Sequence, residues 1–239
     1  MRFAAHIITA YPHMFPGPLG ESLSGRALQD GLWQLQTHDL RAFGQGKHQN
    51  IDDTPAGGGP GMVLRADVAA SALDNVTAMA DLPVILPSPR GQLFSQKMAQ
   101  DWAKADGLIF LCNRFEGVDE RFIEARRPLE VSLGDYVLGG GELAAMVMLE
   151  AVLRLVPGIM GKAESGTDES FSTANDGLLE YPHYTRPQEW EGRHIPDIVT
   201  SGDHEKLAAW RRAEAEALTQ KRRPDLWAAR GAKSEDEKN

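Results

Sequence analysis

Residues 111–142 read LCNRFEGVDERFIEARRPLEVSLGDYVLGGGE. An apolar run ends at Cys112 and a charged segment follows it. A second apolar run starts at Leu129, and Gly139, Gly140 and Gly141 stand immediately before a strongly helical sequence. Glycines at such a place permit positive φ and let a ligand come close to the main chain. A strand that hands over to a helix is also where open α/β sheets bind ligands. The stretch therefore predicts a small-molecule pocket made of backbone.

On either side, short apolar runs alternate with helical periodicity. Residues 2–9 read as a buried strand, and Pro12, Pro16 and Pro18 forbid helix until about Ser22. Ser22 or Ser24 is placed to cap a helix running through Trp33, and 37–43 is strand-like. Residues 44–61, GQGKHQNIDDTPAGGGPG, carry too little apolar surface for an element and read as a long loop. A helix is expected over 66–80, with Val68, Ala72, Val76 and Met79 on one face. A strand over 82–86 is expected to stop at Pro87-Ser88-Pro89-Arg90-Gly91. Helix 95–105 capped by Ser95, strand 107–112, helix 118–127 and strand 129–133 complete the alternation. Helix 142–156 is apolar on three sides and must bury itself against the sheet or another subunit. The alternation predicts an α/β fold, a mostly parallel sheet with helices on both faces. Residues 160–175 are polar and rich in Gly, Ser and Thr, the best linker in the chain. A helix over 203–219, a shorter one over 221–227 and a charged tail from 233 follow.

A chain of 239 residues suits one large α/β domain or a main domain with an appendage. With 34 acidic and 25 basic side chains, the formal charge of −9 argues against a nucleic-acid partner held mainly by bulk electrostatics. Cys112 has no cysteine partner, and its neighbours Phe110 and Leu111 suit a buried thiol. The first residues lack the sustained apolar core of a signal peptide, and no apolar run reaches the roughly 20 residues of a membrane span. A cytoplasmic location is expected.

The seven histidines show no paired short spacing, which argues against a dedicated zinc site. No GxSxG occurs, and GGGPGM lacks the lysine-hydroxyl pair of a phosphate loop. GQGKHQ at 44–49 lacks the third glycine and the helix of a dinucleotide fingerprint. Three backbone-rich loops remain, 87–91, 113–117 and 133–141, each after an expected strand. Together they suit an adenine base and a ribose, although three plain turns would read the same way. Acid–base candidates are Glu116, Asp119, Asp135, Asp168 and Glu169. Arg154 lies inside the apolar helix, where a guanidinium is costly unless it is paired or reaches a site.

Four longer motifs go further: AGGGPGM at 56–62, RFEGVDER at 114–121, LGDYVLGGGE at 133–142 and EYPHYTRP at 180–187. On these the chain resembles the bacterial tRNA (guanine-N1)-methyltransferase family (TrmD) of the knotted SPOUT class, from residue 1 to about 227. The resemblance implies a mostly parallel sheet with a deep trefoil knot in domain 1–160, a flexible linker over 161–175 and a small helical tRNA-binding domain over 176–239. It implies a homodimer with S-adenosylmethionine bent in the knot at each subunit interface. Cofactor-contacting positions fall on Leu86, Ser88, Pro89, Asn113, Glu116, Leu133, Gly134, Tyr136, Leu138, Gly140 and Gly141, with Asp135 and Val137 in the same loop. Arg154 matches the arginine that steadies guanine O6. The family's base, an aspartate before Ser-Phe, is replaced here by Glu169, with Asp168 adjacent, so either carboxylate remains open as the base; it would reach across to the partner's cofactor. Asn113 stands where glycine is common. The implied reaction is methyl transfer to N1 of the guanosine 3′ of the anticodon, position 37. Magnesium is a further requirement raised by the resemblance, without a residue pattern to hold it. Local basic clusters would meet the tRNA: Arg41, Lys47 and His48; Arg114, Arg121, Arg126 and Arg127; and Arg211, Arg212, Lys221, Arg222 and Arg223. A ribose 2′-hydroxyl methyltransferase of the same class and a tRNA-binding protein without turnover are the alternatives.

Overall fold

The computed structural model of the chain describes residues 2–160 and 169–236. In chain order the first part contains β1 (Phe3–Thr9), α1 (Ser22–Gln29), β2 (Trp33–Asp39), β3 (Asp52–Asp53), β4 (Val63–Leu64), α2 (Ala66–Thr77) and β5 (Val84–Leu93). It continues with α3 (Gln96–Trp102), β6 (Gly107–Leu111), α4 (Glu120–Arg126), β7 (Leu129–Ser132) and α5 (Gly141–Leu153). The second part contains β8 (Glu189–Trp190), β9 (Arg193–His194), α6 (Asp197–Thr200), α7 (His204–Arg222) and α8 (Pro224–Asp236). The chain divides into two compact units, residues 1–162 and 163–239.

Five strands form one parallel sheet in the order β2-β1-β6-β5-β7. Side chains of a strand alternate between faces, and both faces are covered here. Phe3, Ala5, Ile7, Leu108 and Phe110 pack with residues of α1, α3 and α5. Ile8, Leu86, Ile109 and Leu111 pack with α2 and with Phe122 of α4. All five residues of β6 are buried, as a central parallel strand requires. Each large apolar side chain so buried contributes about 1.5–3 kcal/mol. The α/β architecture with a parallel sheet and helices on both faces is the one the alternation predicts.

Several boundaries differ from the sequence reading. α1 stops at Gln29, because the chain reverses at Gly31 (φ +67) and fully buried Trp33 pairs with Phe3 to open β2. The Trp33 indole donates to the Ser24 carbonyl at 2.8 Å, so that tryptophan is claimed by the sheet rather than the helix. The expected strand over 37–43 gives way after Asp39 to a short 3₁₀ turn, Leu40–Phe43, whose Arg41 amide is accepted by the Asp39 carboxylate. α2, α3 and α5 each close three residues before the expected ends at 80, 105 and 156. The 44–61 segment is partly ordered by a mutual Gln45–Asn50 backbone pair and by β3, which pairs antiparallel with β4.

The most consequential difference lies at Pro87–Gly91. The segment does not end the strand: Ile85, Leu86 and Pro87 pair with 129–131, and Gln92 and Leu93 pair again with Val131 and Ser132. The intervening residues step out of the ladder as a bulge. Gly91 makes this possible, since a Cβ there would meet the Glu130 carbonyl carbon and the Val131 nitrogen at 2.3 Å.

In the second unit, β8 and β9 form a two-residue-per-strand hairpin, and α8 is longer than the expected 221–227 helix. Residues 169–180 fold into a turn closed by Phe171 N–H to Leu178 O at 2.9 Å and Glu180 N–H to Ser170 Oγ at 2.9 Å. Thr219, fully buried on α7, accepts from the Leu179 amide at 2.9 Å and donates to Ala215 O at 2.7 Å. Among the described residues no helix is long and apolar enough to cross a membrane.

Candidate functional site

A cavity of about 330 Å³ opens in the first unit where three strands end. The β5 bulge contributes Leu86, Ser88 and Pro89, and the segment after β6 contributes Asn113 and Glu116. The loop between β7 and α5 contributes Leu133, Gly134, Tyr136, Val137, Leu138, Gly140 and Gly141. Asp135 belongs to that loop but is not among the lining residues. The three loops stand at the carboxyl ends of parallel strands, the usual ligand edge of such a sheet.

Main-chain contacts hold the loops together. The Gly141 amide donates to Asn113 O at 2.8 Å, joining the third loop to the second. The glycines of 139–141 serve a different purpose from the positive φ expected of them. None lies in the left-handed region, and Gly140 is extended at φ 171, ψ 172. What matters is proximity: a Cβ on Gly141 would lie 3.0 Å from Cys112 Cα. One on Gly140 would lie 2.6 Å from the Glu142 carboxylate and 2.9 Å from Arg114. Positive φ occurs instead at Phe115, Gly117 and Gly134 of the cavity loops and at Gly57, Gly58, Gly59 and Gly61 of the AGGGPGM loop. Its end is tied to the cavity wall by the Glu116 amide, which donates to Met62 O at 2.9 Å.

Charged groups rim the cavity. Arg90 donates to Glu120 at 3.0 Å and to Glu130 at 3.4 Å, and the bond to Glu120 above all raises the guanidinium further above its usual range. Arg90, Phe115 and Glu130 line the cavity without having been singled out from sequence. The proximity of Arg90 to the Ser88-Pro89 pair was the available signal. Cys112 is buried beneath the site; burial, then the Glu142 charge, pushes its thiol well up. Such a thiol is structural.

Of the catalytic candidates, Arg154 is not inside the helix. It is the exposed C-cap residue of α5, where water meets much of the solvation demand. Glu169 is half-buried in the second unit, its carbonyl accepting from the Ser172 amide at 3.1 Å. Asp168 lies outside the described residues. Several arginines of the expected basic clusters form ion pairs with nearby carboxylates. Arg114 pairs with Glu142, Arg121 with Asp119, Arg126 with Asp74, Arg212 with Asp176 and Glu216, and Arg223 with Asp225. Among the described residues no group of three or more His, Cys, Asp or Glu is placed to hold a metal ion, so magnesium is assigned no residues.

Comparison with known proteins gives consistent findings. The family described as tRNA (Guanine-1)-methyltransferase TrmD matches residues 1–229. A Nitrobacter winogradskyi protein named tRNA (guanine-N(1)-)-methyltransferase is 58% identical over 238 residues, covering 100% of this chain and 98% of its own. Proteins of the same name from Rhodopseudomonas palustris and Brucella ovis are each 58% identical, over 234 and 228 residues. They cover 98% and 95% of this chain and 93% and 92% of their own lengths.

Proposed function

The chain belongs to the tRNA (guanine-1)-methyltransferase family, and on that premise we propose that it methylates N1 of the guanosine at tRNA position 37, using S-adenosylmethionine. It is a tRNA-modifying methyltransferase, and we place its work in the cytoplasm with its substrate. The observation that supports the site assignment is the cavity lined by residues of three loops at one sheet edge. Its volume of about 330 Å³ lies in the range of small-molecule sites, roughly 300–1,000 Å³. The lining suits an adenosine group, because apolar residues such as Leu86, Leu133 and Leu138 can flank a base, and a Cβ on Gly141 would crowd the Cys112 backbone at 3.0 Å. We assign the cofactor to Leu86, Ser88, Pro89, Asn113, Glu116 and the 133–141 loop. When bound, it supplies an electrophilic methyl group on a sulfonium.

The chain's own tasks are alignment and proton removal. The loops fix the direction of approach and exclude water. Glu169 removes the N1 proton, with Asp168 as the competing base, and Arg154 offsets the negative charge that develops on guanine O6. We further propose that the three loops form a trefoil knot and that the enzyme is a homodimer. In support of the dimer, Leu143 and Val147 are 52% and 53% exposed on a helix whose other apolar residues are buried or half-buried. Apolar exposure of this kind marks an interaction surface. The domain reading completes the proposal: a cofactor domain over 1–160, a linker over 161–175 and a tRNA-binding helical domain over 176–239.

Incubation with labelled S-adenosylmethionine and tRNA bearing guanosine at position 37 tests the reaction. The expected product is N1-methylguanosine; a 2′-O-methyl product, or none, overturns the assignment. In single turnover, Glu169→Gln is expected to slow the chemical step by about a hundredfold or more, the range of general-base loss. A larger effect of Asp168→Asn would transfer the role.

A further inference from the structure

We propose that Glu142, which does not line the cavity, is a positioning residue for it, acting through Arg114 to hold segment 113–117 and glycines 139–141 in register. The inference rests on the cavity being the cofactor site. Glu142 is only 1% exposed in the first turn of α5, a position where the helix dipole favours negative charge. Its Oε1 accepts from Thr9 Oγ1 at 2.8 Å and from Arg114 Nε at 3.3 Å. The Thr9 hydroxyl in turn accepts from the Tyr11 amide at 3.0 Å, so its single proton is directed at the glutamate. Oε2 lies 3.2 Å from the same Arg114 nitrogen yet accepts no hydrogen bond among the described residues. A buried carboxylate is expensive unless it is paired, and here the pairing reaches the site. Arg114 lines the cavity, donates to Gly139 O at 3.3 Å and lies 4.3 Å from the centre of the Tyr11 ring. One guanidinium thus ties the segment after β6 to the glycine loop and to the end of β1. Among the described residues its one carboxylate partner is the buried Glu142.

The test is S-adenosylmethionine binding by the full-length enzyme, measured calorimetrically for wild type, Glu142→Gln, Arg114→Lys and the double variant. Glutamine keeps the volume and an acceptor for Thr9 while removing the charge. Lysine keeps the charge but cannot span Glu142 and Gly139. Each single change is expected to weaken binding about tenfold or more, the scale of a charge-assisted hydrogen bond. The double variant should be much less than multiplicatively worse, because both changes break one link. Steady-state kinetics should place most of the loss in the cofactor KM rather than kcat, and amide exchange at Gly139–Gly141 should quicken. A lowered melting temperature with unchanged cofactor affinity would show a purely structural glutamate and overturn the inference, as would multiplicative effects. Should Glu142→Gln fail to fold, the partly exposed Arg114 provides the same readout through Arg114→Lys. A wild-type enzyme that does not bind the cofactor would remove the underlying site assignment; a binding wild type matched by both variants would remove only the role of Glu142.

Discussion

Gly91→Ala is expected to destabilise the first unit by about 3–5 kcal/mol. The added methyl would sit 2.3 Å from the carbonyl carbon of Glu130 and the nitrogen of Val131, and 2.5 Å from the Glu130 oxygen. All three are backbone atoms of β7, so no side chain can rotate away. Overpacking alone costs about 1–3 kcal/mol. Relief by moving the strands apart would sacrifice pairing at Gln92–Val131 and Leu93–Ser132, at about 1 kcal/mol per hydrogen bond. Urea unfolding followed by the fluorescence of buried Trp33 and Trp102 measures the loss, and amide exchange at Gln92 and Leu93 localises it. Gly139→Ala is the control, because no atom lies within 4 Å of its Cβ position and its φ is outside the left-handed region. It should stay within about 1 kcal/mol of wild type. If Gly91→Ala did the same, the close approach of β5 and β7 would not be what requires glycine there.

Thr219→Val should cost about 1–3 kcal/mol by leaving the Leu179 amide without its acceptor. Faster amide exchange at Leu179 is the direct measurement, and unchanged exchange would discount the bond. His6 and His38 stack with ring nitrogens 3.2 Å apart, and burial holds both below their usual pKa, with the charge of His6 adding to the effect on His38. The unfolded imidazoles, titrating near about 6.5, therefore take up protons first on acidification. Stability should be level above that pH and fall as pH drops from there through the lowered folded-state values. Thermal melts between pH 7.5 and 5.5 should show this slope, and His38→Gln should flatten it. Paired Leu143→Asp and Val147→Asp changes should leave circular dichroism intact and reduce the sedimenting mass; an unaltered mass would refute the dimer face. Cys112 should resist a thiol reagent in the native enzyme and react fully in denaturant, since it has no exposed surface.

The parallel sheet was legible because its strands are short apolar runs separated by helical periodicity. The glycine and proline punctuation also located the three loops that enclose the cavity. The register of those loops was not legible. Pro87 and Pro89 are strong local arguments for ending a strand, yet β5 continues because β7 pairs with it on both sides of the bulge. Trp33 shows the same override: the local sequence extends a helix, while burial against the sheet makes it a strand. Glu142 looked like the first residue of a helix, and only the fold shows that it neutralises an arginine 28 residues earlier. Arg154 was placed inside an apolar helix by composition alone, whereas the helix closes one residue before it.

The position of β6 has a consequence for synthesis. β1 can meet β2 as soon as residue 39 is available, but its other edge is completed only by β6. The 67 residues of 40–106 must be made first. At about 5–20 residues per second, a nascent chain would carry that apolar, unpaired edge for about 3–13 s. Open edges of this kind invite pairing with other chains. The central strand that makes the finished sheet rigid therefore sets the interval during which the growing chain depends on dilution or on chaperones.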